Sequence, residues 1–333
     1  MAVSLVTGGA GFMGSHVARE RLRRRDEVIV LDDLSGGFAD NVPQGAEFVH
    51  GSFSDVELVN KLFKRHRFEF VFHLGAYAAE GLSHFIRRYN YENNTVGSMN
   101  LINAAVNHNT KCFVFTSSIA VYGAGQVPMS ESMTPQPEDP YGISKYAVEL
   151  DLHAANAMFG LSHVIFRPHN VYGENQNIGD RYRNVIGIFM NQLMQDLPMT
   201  VFGDGEQTRA FTHISDVAPI IADAVDNPRA QNEVFNVGAE TPYSVNYLAD
   251  TVAKAMKKPA GKVYLPPRKE VVHAFSSHAK TFSVFGRKAS VTLEEGVARM
   301  AEWARRVGPR QTKPFQGIEV RKNLPASWAS QAD

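Results

Sequence analysis

Val3-Ser-Leu-Val-Thr-Gly-Gly-Ala-Gly-Phe-Met-Gly14 is the stretch from which the fold of this chain is read. An apolar run breaks into a turn whose glycines, Gly8, Gly11 and Gly14, stand three apart, and the helix-like segment Ser15 to Arg24 follows. Strand, glycine turn and helix in that order form a dinucleotide fingerprint. The glycines permit a tight turn and let a pyrophosphate approach backbone N–H groups at a helix N-terminus. A second apolar run, Glu27-Val-Ile-Val-Leu31, ends in Asp32, at the distance of about 20 residues where an acid can bind both ribose hydroxyls of an adenosine. That carboxylate disfavours the extra phosphate of NADP, so NAD is the expected cofactor.

Moving outward, strands are expected near Glu47-Phe-Val49 and over Phe68-Glu-Phe-Val-Phe72, Cys112-Phe-Val-Phe-Thr116, His163 to Arg167, Ala210 to His213 and Val234 to Val237. Helical patterns alternate with them, including Tyr91 to Val106 and the segment that begins Tyr141-Gly-Ile-Ser-Lys145. This alternation predicts an α/β fold built on a doubly wound parallel sheet of the Rossmann type, covered on both faces. Ligands of such sheets sit at the carboxyl ends of the strands. Gly8, Asp32, His73-Leu-Gly75 and Ser117-Ser118 all fall there. Tyr141 and Lys145, four apart, share one helix face.

The 333 residues are 44% hydrophobic and 20% charged, enough for one large or two unequal domains around a substantial core. A composition shift after Gly173 suggests an NAD-binding domain over 1–173, with return segments at about 209–240, and a smaller mixed α/β substrate domain over 174–208 and 241–307. Residues 308–333 read as a tail in which Phe315 and Trp328 pack against the body or a partner subunit. Lys+Arg and Asp+Glu both number 34, which argues against nucleic acid or an anionic membrane as partner. Cys112 is the single cysteine and reads as core. With no signal-like opening and no apolar run of membrane-spanning length, a cytoplasmic location is expected, and no metal site is foreseen.

Seven motifs are similar together to one family: Thr7-Gly-Gly-Ala-Gly-Phe-Met-Gly14, Asp32, Asn94-Thr-Val-Gly97, Phe115-Thr-Ser-Ser-Ile-Ala-Val-Tyr-Gly123, Tyr141-Gly-Ile-Ser-Lys145, Arg167-Pro-His-Asn-Val-Tyr-Gly173 and Gly203-Asp-Gly-Glu-Gln-Thr-Arg209. The chain resembles the extended short-chain dehydrogenase/reductase family, in its nucleotide-sugar epimerase branch, over roughly residues 3 to 306. The resemblance implies that Tyr141 is the acid/base, Lys145 its electrostatic partner and ribose ligand, and Ser118 the hydroxyl that holds the reacting sugar oxygen, with Ser117 its rival. A phenol of pKa near 10 is a poor base at pH 7, and a nearby ammonium and the positive nicotinamide would both lower that value.

The resemblance further implies a cofactor site made of Gly8, Gly11, Phe12, Met13, Gly14, Asp32, Asp33, Ser52, Phe53, Leu74, Gly75, Ala76, Asn94, Ser117, Tyr141, Lys145 and His169. Asn170, Asn184, Arg209, Arg268 and Glu270 match positions that hold a nucleotide diphosphate, and Glu80 could face a sugar hydroxyl. Ala274 is small where a bulky residue excludes N-acetylated sugars in some relatives. Dehydrating and decarboxylating relatives carry acids, and 3,5-epimerases a cysteine, where this chain has Ile119 and Ala120.

What the resemblance leaves is NAD-dependent epimerisation, at C4 of a UDP-hexose such as UDP-glucose, UDP-galactose or their N-acetyl forms. Alternatives are a 2-epimerase, a UDP-glucuronate 4-epimerase whose substrate carboxylate meets Arg181 or Arg183, a net 4-keto-sugar reductase, and an inactive cofactor-bound regulatory protein. A homodimer through the Tyr141 helix and the 91–107 tract is also implied.

Overall fold

The computed structural model describes residues 1–124, 127–267, 273–311, 315–325 and 328. The chain runs β1 (Val3–Thr7), α1 (Phe12–Arg23), β2 (Glu27–Asp32), β3 (Glu47–His50), α2 (Val56–His66), β4 (Phe70–His73), the short α3 (Glu80–Ser83) and α4 (Arg87–Tyr91), α5 (Gly97–Asn107), β5 (Cys112–Thr116), α6 (Pro140–Phe159) and β6 (His163–Pro168). It continues through β7 (Val171–Tyr172), α7 (Val185–Met194), β8 (Met199–Phe202), β9 (Thr208–Ala210), β10 (Thr212–His213), α8 (Ile214–Asp223), β11 (Glu233–Val237), β12 (Pro242–Ser244), α9 (Val245–Met256), β13 (Lys262–Leu265), β14 (His273–Ala274), α10 (Ala279–Phe285) and α11 (Leu293–Val307).

Seven strands form one parallel sheet in the order β3-β2-β1-β4-β5-β6-β11, the Rossmann-like α/β arrangement that the alternating pattern predicts. Helices cover both faces. Phe63, Leu101, Phe113 and Leu152 pack on one, and Val17, Val30, Ile221 and Phe235 on the other. Burial on both sides explains why the strands read as continuous apolar runs rather than alternating ones. Each fully buried side chain of this kind contributes about 1.5–3 kcal/mol.

Strand order reverses at β1 and β4, and the register levels Thr7 with His73 and His73 with Phe115. A crevice therefore opens at one edge, outside the carboxyl ends of the strands. A third core is built from Phe189 and Met190 of α7, Leu248 and Val252 of α9, and Met300 and Trp303 of α11.

Two strands differ from expectation in ways that have a packing reason. β4 starts at Phe70 rather than Phe68, because Phe68 packs edge-on to Phe63, with ring centres 5.0 Å apart, before the ladder begins. The strand expected over Ala210 to His213 is split. β9 pairs with β12 and β14, whereas β10 pairs with β7, so the chain changes sheets at Phe211.

Candidate active site

The strand ends open into a cavity of about 1500 Å³, larger than the roughly 300–1,000 Å³ usual for one small ligand. Gly8, Gly11, Phe12, Met13, Gly14, Asp32, Asp33, Phe53, Leu74, Gly75, Ala76, Ser117, Ser118, Tyr141, Lys145 and His169 line it. So do Glu80, Asn170, Asn184, Arg209 and Ala274. Two expected cofactor contacts are absent from the lining, and the structure gives each another task. The Ser52 hydroxyl accepts the Ser54 N–H within a turn after β3. Asn94 is buried with its amide saturated: it accepts from the Tyr77 N–H at 2.8 Å and from Asn93 Nδ2 at 2.9 Å, and donates to the Tyr77 carbonyl at 3.1 Å and to Asn90 at 2.9 Å. Asn94 thus fastens the loop after β4 instead of reaching into the cavity. Arg268 and Glu270 lie outside the described residues.

The glycine turn is shaped for a close approach. Gly8 has a φ of +68°, and a Cβ there would stand 2.7 Å from the Gly75 backbone. A Cβ on Gly14 would come within 2.1 Å of the Gly8 carbonyl oxygen, so α1 could not pack on β1 with any larger residue. Gly11, the N-cap of α1, offers no side chain to the first N–H groups of the helix, and Phe12 and Met13 bring that end to the cavity. Such a terminus favours a pyrophosphate. At the end of β2, Asp32 is held by N–H groups of Ala10 (3.0 Å) and Leu34 (2.8 Å). Burial raises its pKa, and those N–H donors oppose the shift. The Gly11 N–H also faces the carboxylate, whose roughly four lone-pair sites leave capacity for a ribose hydroxyl. These residues fit an NAD-type dinucleotide.

Beneath the turn, buried His73 lies between Thr7 Oγ1 (2.6 Å) and Ser98 Oγ (2.8 Å). Ser98 donates to the Asn94 carbonyl, so it accepts from His73 Nε2–H and leaves Nδ1 to accept from Thr7. Burial lowers the His73 pKa well below its ordinary value, which keeps the ring neutral.

Helix α6 begins where Asp139 accepts the Gly142 N–H at 2.9 Å and Pro140 occupies the first helical position. This start places Tyr141 and Lys145 over the end of β5. The Ser118 hydroxyl, which accepts the Ala120 N–H at 3.1 Å, lies close enough to the Tyr141 phenol to lower its pKa. The Ser117 hydroxyl is instead spent on buried Glu149 (2.5 Å), which also takes the Arg167 Nε–H at 3.0 Å. Ser118 is therefore the one of the two whose hydroxyl sits with the phenol.

Lys145 Nζ donates to the Thr116 carbonyl at 2.8 Å and stands 6.0 Å from the centre of the Tyr141 ring. Electrostatics here differ from the simple expectation of a lysine-activated phenol. Burial drives the Tyr141 pKa above its ordinary value, Ser118 and Arg183 lower it, and Glu80 and Asp139 raise it further. Burial also pushes Lys145 down to about 7, with Glu149 opposing. A half-charged lysine gives Tyr141 less help than a full ammonium, so burial is the dominant force on both groups.

On the far side, Ala274 of β14 is in register with Arg209 of β9, and both line the cavity. Asn170 and Asn184 are exposed residues with φ of 41° and 65°. Glu80 opens α3, and its carbonyl accepts the Ser83 hydroxyl. His169 is buried, with Nδ1 3.1 Å from the Ala210 carbonyl and its ring stacked on His278. Burial and His278 push its pKa down to about 3. It presents a neutral ring whose nitrogens already have partners. Arg181 does not line the cavity, and Arg183, which does, is held by Asp180 at 2.6 Å and lies over the Tyr77 ring.

Sequence reasoning gave no role to Tyr77, to the Glu149 brace or to Lys322, Asn323, Pro325 and Trp328, which also line the cavity. Trp328 does pack on the body, against Ala79, Leu82 and Ile86. An isolated Phe315 and Trp328 in a motif-free tail were the one available signal.

Residues 4–238 match the NAD dependent epimerase/dehydratase family. The chain belongs to that family. A UDP-glucose 4-epimerase of Streptomyces lividans is 33% identical over 277 residues, covering 79% of this chain and 84% of the relative. The crystal structure of the Thermotoga maritima UDP-glucose 4-epimerase with UDP-glucose superposes with a TM-score of 0.88 at 33% identity, covering 92% of this chain and 99% of that one. The Thermus thermophilus UDP-glucose 4-epimerase in complex with NAD gives a TM-score of 0.85 at 30% identity, covering 90% and 98%. NAD is the cofactor of this epimerase/dehydratase family member, an enzyme.

Proposed function

We propose that this chain epimerises C4 of a UDP-hexose, UDP-glucose/UDP-galactose or their N-acetyl forms, through a transient 4-keto sugar that is reduced again on its other face. The observation that carries the reading is the meeting of Ser118, Tyr141 and Lys145 in one cavity with a dinucleotide-shaped turn, where Ile119 and Ala120 supply no acid for elimination or decarboxylation. Gly8 to Gly14 would hold the pyrophosphate, Asp32 the adenosine ribose and Lys145 the second ribose. When bound, NAD supplies the hydride acceptor and donor.

Every proton step then belongs to the protein. Ser118 holds the C4 oxygen, and Tyr141 takes its proton and later returns it. A buried phenol does this only with positive charge nearby, so Lys145 must be held as an ammonium, and Glu149 favours that form. Arg209 and Asn184 would hold the diphosphate, the guanidinium in a bidentate manner, while Ala274 leaves room for an N-acetyl group. Arg183 is occupied by Asp180, which disfavours the uronate reading.

The same reading gives residues 1–173, with return segments at about 209–240, to NAD, supported by the return of β11 to the main sheet. Residues 174–208 and 241–307 then serve the nucleotide sugar. Exposed Val96, Ile143 and Leu150, beside and on α6, support a homodimer through that face. Among the described residues no helix is long and apolar enough to cross a membrane. A lone buried thiol, Cys112, suits a reducing cytoplasm.

The deciding experiment incubates dialysed protein, without added NAD, with a panel of UDP-sugars and follows the sugar by NMR. Catalytic interconversion of C4 epimers is expected. Dependence on stoichiometric reduced cofactor would replace this reading with that of a 4-keto-sugar reductase.

A further inference from the structure

The segment after α11 does more than end the chain. Arg310 is clasped by Asn191 of α7, which donates to its carbonyl and accepts its N–H, both at 2.9 Å, and its guanidinium lies 3.7 Å from the centre of the Phe38 ring. Phe315 donates its N–H to the Tyr182 hydroxyl at 3.1 Å and sets its ring near Tyr77 and Tyr89, at 5.1 and 5.0 Å. Glu319 donates its N–H to the Phe85 carbonyl at 2.8 Å, and its carboxylate accepts the N–H groups of Arg88 and Tyr89 at 2.8 and 2.9 Å. Trp328 is 5% exposed and meets Phe85 and Tyr182 edge-on. These attachments set Arg310 against α7, and Phe315, Glu319 and Trp328 beside α3 and α4.

Its position relative to the chemistry is specific. Val320, Lys322, Asn323, Pro325 and Trp328 line the cavity together with Gly81 of α3 and with His84 and Phe85 just after it. The Ser83 hydroxyl of α3 accepts the Tyr141 N–H at 3.2 Å, and Glu80 is close enough to raise the Tyr141 pKa. The strap is thus one short helix away from the phenol, at the reacting end of the cavity. Its surface suits a sugar. Indole and proline offer an apolar platform for C–H groups, while an amide and an ammonium supply hydrogen bonds to hydroxyls. It also lies beyond residues 3 to 306, over which the chain resembles its family.

We propose that this C-terminal strap is the outer wall of the hexose pocket, and that Lys322, Asn323 and Trp328 help to decide which UDP-sugars the enzyme accepts. The inference rests on the UDP-hexose reading above.

The test compares the full chain with a chain stopped after Gln311, measuring NAD content, steady-state kinetics on UDP-glucose and UDP-N-acetylglucosamine, and tryptophan emission. Truncation is expected to leave NAD content unchanged, to raise KM roughly tenfold with a smaller change in kcat, and to shift the preference between the two sugars. Lys322→Ala removes one exposed cavity-lining side chain and keeps the strap, so it decides the matter if the truncated chain does not fold; a KM increase of about threefold is expected. UDP-glucose should also change the emission of Trp328, a response lost in Trp328→Phe, while Trp303, in the third core, stays silent.

If the full chain responds in emission but turns over no UDP-sugar, the epimerase reading fails and the wall stands. If the full chain is active, yet both variants keep KM and sugar preference within about twofold and Trp328 emission is unmoved, the wall is overturned.

Discussion

The cavity has two unlike walls. On the strand-end side, reactive groups are held from beneath by buried polar chains: Thr7, His73 and Ser98 under the glycine turn, and Ser117, Glu149 and Arg167 under Tyr141 and Lys145. On the facing side, Asn184 and Lys322 are exposed on connecting segments, and Arg209 sits on a three-residue strand. On the function proposed above, the chemistry would be preorganised by a rigid sheet, and substrate choice left to segments that can vary without disturbing it.

The sharpest way to break this contrast is to remove the reacting atom from the rigid wall. Tyr141→Phe deletes one hydroxyl and leaves the glycine turn and Asp32 intact. Turnover should fall by a factor of about a thousand or more while the protein still binds NAD, as read by cofactor content and single-turnover kinetics. Activity within tenfold of wild type would show that the proton moves by another route.

Glu149→Gln tests the brace instead of the reacting group. It leaves Arg167, which is 4% exposed, without its counter-charge, a loss that costs about 3–5 kcal/mol in buried pairs. Chemical denaturation should register that cost, with kcat reduced because the Ser117 and Lys145 surroundings relax. A comparable change on the facing wall, such as Lys322→Ala, should leave stability within about 0.5 kcal/mol. Equal losses from both substitutions would erase the distinction between the walls.

How legible each wall was in the sequence follows from how it is built. Gly8, Gly14, Asp32, Tyr141 and Lys145 announce themselves because local chemistry fixes their spacing: a turn needs glycine where φ is positive, and a helix aligns residues four apart. The brace was hidden because it joins Ser117, Glu149 and Arg167 from three elements, and a buried glutamate reads like any helical one until its partner is seen. The Asn94 motif is local, whereas the partners that use its whole amide, Tyr77, Asn90 and Asn93, are seen only in the fold. Trp328 meets Phe85 more than 200 residues away, and no periodicity records such a contact.

Lys145 offers a pH test of the rigid wall. Its folded pKa of about 7 lies below the ordinary 10.5, so between those values the unfolded chain binds the proton more readily than the folded one. The penalty of a buried ammonium is thus fully present below pH 7 and is lost as pH rises toward 10.5, and stability rises across that window. In cofactor-free protein, denaturation at pH 7, 8 and about 9 should show wild type gaining stability more steeply than Lys145→Met. Parallel profiles would mean that the lysine keeps its ordinary pKa in the folded state and that its charge is not suppressed by burial.

The narrowest expected effect is confined to one substrate and belongs to the facing wall. Ala274 is 7% exposed, lies in register with Arg209 and borders the cavity. Replacing it with tyrosine fills the space that an N-acetyl group would occupy. For Ala274→Tyr, kcat/KM for UDP-N-acetylglucosamine should fall by about ten- to a hundredfold while that for UDP-glucose stays within about threefold, the discrimination a filled pocket can supply. An equal fall for both sugars would mean that the new ring has displaced β9 and with it Arg209, a disturbance of diphosphate binding instead of sugar choice. The two outcomes separate cleanly, because UDP affinity measured by competition falls only when Arg209 has moved.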